Sequence, residues 1–253
     1  MLSKTVASRI RAAIVRIEAN NPEGASVGTG FLASKEGHVI TCWHVIAFYS
    51  IDKNGLLQFE YADPILVTYG NQRYKANVVH RQNTDAPYTS DFAILKIDAG
   101  ETESLQLGQL RDVGQGEEIC FMGYPRGYDE LFFGAGHVSS LRSIHSSFNQ
   151  LITLDAIEID ASINIGNSGG PLVHTSSGQV VGIVTLRHGD ITPALRRLRD
   201  YLRLSPGKWG IIETLTLEIV NLLEMNTNVG LGTAISIEYA KKELQSLGVK
   251  IEV

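Results

Sequence analysis

The run INIGNSGGPL, Ile163 to Leu172, sets a single hydroxyl among glycines: Gly166, Gly169 and Gly170 surround Ser168, and Pro171 closes the stretch. Glycine reaches backbone conformations that other residues avoid, so this density marks a turn whose backbone has a task beside that of its side chain. A serine hydroxyl becomes a useful nucleophile when an adjacent base takes its proton and a third group orients that base. The chain supplies both. His44 stands in TCWHVI, just after an apolar run, where a turn exposes it; Asp91 opens the apolar run SDFAILKI. In the order His44, Asp91, Ser168 these residue types suit acyl transfer.

Rival chemistries find less support. Cys42 lies two residues before His44 with no glycine-rich turn beside it, and reads as core. Cys42 and Cys120 are the two cysteines, so no disulfide framework is available and both read as buried free thiols. The other histidines, His38, His80, His137, His145, His174 and His188, show no metal-ligand spacing. No metal and no cofactor are expected.

These groups must be held by short strands. Apolar runs at Phe31–Ala33, Val39–Thr41, Ile65–Tyr69, Tyr74–His80 and Phe92–Ile97 come before a polar stretch at 98–108 that reads as a linker between lobes. Further runs follow at Glu118–Gly123, Phe132–Leu141, Leu151–Ile159, Pro171–His174 and Val180–Leu186. Short strands spaced by glycine-rich turns argue for antiparallel barrels or a sandwich. The pattern is helical over 3–12. It becomes helical again between about 190 and 228, where two amphipathic stretches meet at Ser205-Pro206-Gly207, and over the closing SIEYAKKELQSLG, capped by Ser236 and ended by Gly248.

The chain has 253 residues, 43% hydrophobic and 19% charged, as in an ordinary globular protein, and can bury a sizeable core. Its net charge of −5 gives no reason to expect nucleic acid or an anionic membrane as a partner. Lys4, Arg9, Arg11 and Arg16 interrupt the apolar residues at the N-terminus, which lacks the continuous apolar core of a secretory signal. No apolar run is long enough to span a bilayer. A cytoplasmic chain is the expectation.

The motifs GTGF (28–31), TCWHV (41–45), SDFAILK (90–96), INIGNSGGPL (163–172), VVGIVT (180–185) and GLGTAISI (230–237), in this order, resemble the trypsin-like, chymotrypsin-fold serine proteases. Within that fold the sequence is most similar to the HtrA/Deg group. The resemblance implies an all-β fold: two antiparallel β-barrels of the chymotrypsin type, with a helical insertion and a C-terminal helix. An N-terminal lobe, 1–105, would carry the histidine and the aspartate. A C-terminal lobe, 106–253, would carry the serine and the insertion. The implied activity is a cofactor-free serine endopeptidase acting on protein or peptide, with Ser168 as nucleophile, His44 as general acid/base and Asp91 as the group that holds the imidazole. Backbone N–H groups of Gly166 and Ser168 would form the oxyanion hole.

The resembled fold builds its substrate pocket from residues that here are Ser162, Ile163, Thr185, Leu186 and Arg187. No acid stands at Ser162, where trypsin carries one, so a small or medium apolar residue is expected before the cleaved bond rather than Lys or Arg. HtrA-type proteins usually carry a PDZ domain after the protease; in a chain of 253 residues none is expected. Two other readings stay open. One is an inactive protease-fold module that binds peptides or partners. The other is a protease module of a larger assembly, switched by a regulatory protein through the helical insertion.

Overall fold

The computed structural model describes residues 4–21, 24–51, 57–79, 90–145, 152–187 and 230–252, together with 195, 198, 201–202, 208 and 210–226. In its first half come α1 (Lys4–Ala13), β1 (Ile14–Asn21), β2 (Gly24–Leu32), β3 (His38–Thr41) and the one-turn helix α2 (Trp43–Ile46). These are followed by β4 (Ala47–Ile51), β5 (Leu57–Tyr61), β6 (Ile65–Tyr69), β7 (Gln72–Lys75), β8 (Asn77–Val78) and β9 (Ala93–Lys96). The second half holds β10 (Glu118–Gly123), β11 (Phe132–His145), β12 (Thr153–Ile159), β13 (Pro171–His174), β14 (Val180–Arg187), α3 (Ile211–Asn226), β15 (Gly232–Ser236) and α4 (Glu238–Ser246).

Seven strands of the first half form one antiparallel sheet in the order β7-β6-β1-β2-β3-β9-β8. Its two edges belong to a single run of chain. Residues 72–75 pair with β6 and residues 77–78 with β9, while Ala76 N–H donates to Ile65 O (2.9 Å) and Val79 N–H to Ile94 O (3.0 Å). One strand thus changes partner midway and brings the sheet round on itself, so little edge is left open. Alternating β-branched and aliphatic residues line its interior; Val15, Ile17, Phe31, Ile40 and Leu95 are fully buried. In the second half β10-β11-β12-β15-β14-β13 close into a barrel around Ile119, Val138, Ile157, Leu172 and Val184. The fold is all-β, with barrel-like sheets, as the resemblance implied.

The stretch 98–108 is not a free linker. Thr102, Ser104, Leu105 and Leu107 are buried, Leu105 N–H donates to Leu32 O (3.0 Å), and Leu107 bridges to Val180. A core cluster runs through this seam, joining Phe31, Ile40 and Leu95 of the sheet to Val173, Val180 and Ile235 of the barrel. The C-terminal helix packs there too: α4 buries Ala240 and Leu244, and Lys241 Nζ donates to Leu107 O (3.2 Å). Ser236 stands one residue before the cap, yet its hydroxyl accepts the Glu238 N–H at 3.3 Å, and Gly248 (φ 74°) ends the helix region.

In the insertion, α3 starts at Ile211 and continues to Asn226. Of the earlier helical stretch, Leu195, Leu198, Tyr201 and Leu202 are helical, while Thr192 and Ser205-Pro206-Gly207 lie outside the described residues. The sequence pattern predicts that an apolar stripe of Ile212, Leu215, Ile219 and Leu222 is buried; the side chain of Leu222 lies outside the described residues. Instead α3 buries Glu213 and Val220, and Ile212 is 66% exposed. The hairpin β4–β5, paired from Ala47↔Tyr61 to Ile51↔Leu57, has no counterpart among the strands read from the sequence.

Candidate active site

β3 and β9 pair in register, Ile40↔Ile94 and Thr41↔Ala93, so the residues that follow one and precede the other emerge together. α2 turns His44 out beyond β3, and Asp91 precedes β9 in a left-handed conformation (φ 49°) that aspartate tolerates better than most residues. The carboxylate accepts the His44 backbone N–H at Oδ1 (3.1 Å) and takes Nδ1 of the ring at 2.8 Å (Oδ2) and 3.0 Å (Oδ1). A carboxylate only accepts, so Nδ1 carries the proton and Nε2 of the neutral ring is left as an acceptor. Desolvation lowers the basicity of this imidazole, but the charge and hydrogen bond of Asp91 outweigh it and leave the pKa raised above 6.5.

A further side chain holds the pair. Thr185 Oγ1 donates to Asp91 Oδ2 across the seam between lobes. Thr185 reaches it because β14 bulges between Val184 and Leu186, where it pairs with β15, and a bulge re-aims the residue it frees. Behind the pair, Cys42 Sγ donates to Val184 O (3.3 Å), and burial pushes its thiol well above the ordinary range, so it is not a thiolate nucleophile.

Ser168 sits in a turn whose carbonyls from Asn164 to Ser168 are all taken. Asn164 O accepts from Asn167 N–H (3.0 Å), Ile165 O from Arg126 N–H (2.6 Å), Asn167 O from Gly170 N–H (3.0 Å) and Ser168 O from Thr29 N–H (2.9 Å). Gly166 O accepts the Thr29 hydroxyl at 2.6 Å. A trans peptide points its N–H away from its C=O. Pinning Ile165 O and Asn167 O therefore turns the N–H groups of Gly166 and Ser168 the other way, and neither donates to an acceptor among the described residues. Two free donors on one turn make a cradle for negative charge. Gly166 (φ 95°) and Gly169 (φ 86°) are required here: a Cβ at Gly166 would overlap Tyr124 O, and one at Gly169 would overlap Thr29 O. Ser168 Oγ donates to Thr185 O (3.3 Å) rather than to His44.

In the sequence Thr29 stands out only as part of the motif GTGF, yet it is the hub of this turn. It is fully buried, its N–H and Oγ1 hold Ser168 O and Gly166 O, its Oγ1 accepts from Tyr124 N–H (3.0 Å), and its carbonyl accepts from Thr41 Oγ1 (2.7 Å). Of the residues expected to line a pocket, the structure describes the side chains of Ser162, Ile163 and Thr185. Ser162 is exposed, Ile163 is buried in the barrel core against Gly232, and Thr185 faces Asp91. The backbones of Leu186 and Arg187 pair with Thr233 and Gly232; their side chains lie outside the described residues.

A family model for the trypsin-like peptidase domain matches residues 28–183, and the chain belongs to that family. Within it the likeness is to the HtrA/Deg proteases. A probable periplasmic serine endoprotease, DegP-like, from Halomonas elongata is 33% identical over 171 residues, which is 66% of this chain and 30% of that protein. The chloroplastic protease Do-like 5 of Arabidopsis thaliana is 35% identical over 161 residues, 62% of this chain and 47% of that one. The chain thus spans less than half the length of these relatives. The active form of the Rv3671c protease from M. tuberculosis shares the fold, with a TM-score of 0.65 at 19% identity, covering 98% of this chain and 86% of that one. The periplasmic and chloroplastic names overturn the cytoplasmic expectation. Arg9 and Arg11, on which that expectation leaned, are exposed residues of helix α1, and surface charge on a folded helix carries no address. No helix among the described residues is long and apolar enough to cross a membrane.

Proposed function

We propose that this chain is a serine endopeptidase working through Ser168, His44 and Asp91. The observation that carries the reading is the turn at 164–170, whose amides at Gly166 and Ser168 are left without partners beside a serine and a His–Asp pair. In this reading the Ser168 side chain turns away from Thr185 O and presents its hydroxyl to Nε2 of His44. As Oγ attacks a peptide carbonyl, Nε2 takes the proton, and the new oxyanion is received by the two amides. The imidazolium, steadied by Asp91 and Thr185, then protonates the leaving amine. Water hydrolyses the acyl-enzyme by the same route in reverse, and no cofactor enters any step.

The substrate would be a protein or peptide with a small or medium apolar residue before the cleaved bond, since Ser162 offers no carboxylate to a lysine or arginine. A profiled peptide library dominated by Lys or Arg at that site would refute this preference. The helical insertion would serve as a gate or a face for a regulatory protein. Labelling with a fluorophosphonate probe tests the chemistry itself: one equivalent should attach at Ser168 and none to Ser168→Ala. A folded chain that takes no label and turns over no peptide would instead be a binding module on a protease fold.

A further inference from the structure

One more chemistry-bearing group borders the His–Asp pair, and the mechanism gives it no part. The thiol sulfur of Cys42, a ring nitrogen of His44 and a carboxylate oxygen of Asp91 all lie within 4.8 Å of one another. The extended backbone at Cys42 (φ −80°, ψ 146°) leading into the single turn of α2 lets residues 42 and 44 converge there, and β9 brings Asp91 beside them. Sulfur, imidazole and carboxylate together are a donor set suited to a borderline-soft divalent cation. Around zinc, bonds of about 2.3 Å to sulfur and about 2.0 Å to nitrogen and oxygen set tetrahedral ligands roughly 3.5 Å apart. Side-chain shifts on the order of 1 Å bring the three atoms to that spacing.

We propose that Cys42, His44 and Asp91 form an inhibitory site for Zn²⁺ or a softer divalent cation such as Cd²⁺, with a fourth position open to water on the exposed side of His44. On binding, the S–H bond of Cys42 breaks, its proton passes to solvent, and sulfur and Nδ1 each give the metal an electron pair; nothing is oxidised or reduced. The nitrogen facing Asp91 is Nδ1. Once a metal holds its lone pair, the ring proton must sit on Nε2, and that nitrogen can no longer accept the proton of Ser168. The cation blocks turnover by fixing the wrong tautomer while the substrate cleft stays open. The inhibitory consequence rests on the peptidase reading; the binding does not.

The test uses the whole chain in buffer freed of metal, titrated with ZnCl₂ or CdCl₂ and read by hydrolysis of a peptide ester, with equilibrium dialysis counting bound metal. Co²⁺ in place of Zn²⁺ gives an independent signal, a thiolate-to-cobalt absorption in the near ultraviolet. The expected result is one bound equivalent, at least about a tenfold fall in kcat with KM little changed, and recovery on adding EDTA. Cys42→Ala and Cys42→Ser, each compared with its own metal-free rate, should need at least about tenfold more metal for the same loss and show no cobalt–thiolate band. Metal sensitivity equal to that of the unaltered chain in either variant, inhibition that raises KM alone, or no bound equivalent would overturn the proposal. If the chain hydrolyses nothing, dialysis and the cobalt band still decide the site, so failure of the peptidase reading shows separately. If one variant does not fold, the other and the band in the unaltered chain decide it.

Discussion

In the turn at 164–170, five successive carbonyls from Asn164 to Ser168 accept hydrogen bonds, and two amides are left over. In α3, Ile211, Ile212, Leu215, Ile219 and Leu223 face solvent. Both stretches belong to the second half of the chain, and they invert the usual allotment of polar and apolar groups. The turn consumes acceptors and keeps donors, which favours whatever brings negative charge. The helix keeps apolar surface that the barrel does not cover. Tight constraint suits the first to the chemistry proposed for it; the second has room to change without touching it.

The largest effect should come from the turn. Gly169→Ala forces a Cβ onto Thr29 O at a left-handed backbone position, so the turn must move. We expect kcat/KM to fall by about 100-fold or more, the scale of losing an oxyanion donor, with the chain still folded by circular dichroism. A near-normal rate would mean that the amide geometry is not what matters. Thr29→Val comes next. It strips the buried Gly166 carbonyl and Tyr124 amide of their shared partner, at a cost of about 1–3 kcal/mol for each group left unpaired. kcat should drop while KM holds, and Thr29→Ser should recover most of the loss.

How much of this was readable in advance follows the range of each contact. Glu118–Gly123, Ile65–Tyr69 and Pro171–His174 have the bounds that their apolar runs suggest, because a strand's own side chains set its pattern. The part of Thr29 was not readable, since its hydroxyl meets Gly166 across 137 residues of sequence. Nor was that of Thr185, which stands 94 residues from Asp91 and turns towards it only through a bulge that no periodicity announces. The stripe of α3 is exposed for a different reason. Amphipathic spacing says that a helix has an apolar face, but not that anything covers it.

Acidity separates the two regions further. The His44 pKa is raised, so the base is lost as pH falls through a value above 6.5, and the acid limb of kcat/KM should lie there. For stability the sign is opposite: the charged His44–Asp91 pair stabilises fully below about 6.5, the unfolded value, and that contribution fades as pH rises through the folded pKa. Asp91→Asn should move the acid limb downward; a limb that stays put would point to another titrating group. The insertion should respond least. Trimming 190–228 to a short glycine-containing loop should leave hydrolysis of a peptide ester nearly unchanged and alter cleavage of a folded protein more. The single change Ile212→Ser should shift stability by no more than about 0.5 kcal/mol. Collapse of both activities on trimming would tie the helix to the turn and dissolve the contrast.

The strap at 98–108 has a mechanical consequence. Leu105 is tied to Leu32 in the sheet, Gly108 N–H donates to Val180 O (2.8 Å) and Val180 N–H to Gln106 O (2.9 Å) on the barrel side of the seam, and Leu107 N–H donates to Glu252 O (3.0 Å). The two lobes are therefore stitched at two points, by their connecting chain and by the C-terminal tail, around one common core. Among the described residues, a seam tied on both sides leaves no free joint between sheet and barrel. For the proposed endopeptidase this predicts that an extended polypeptide is cleaved faster than a compactly folded one.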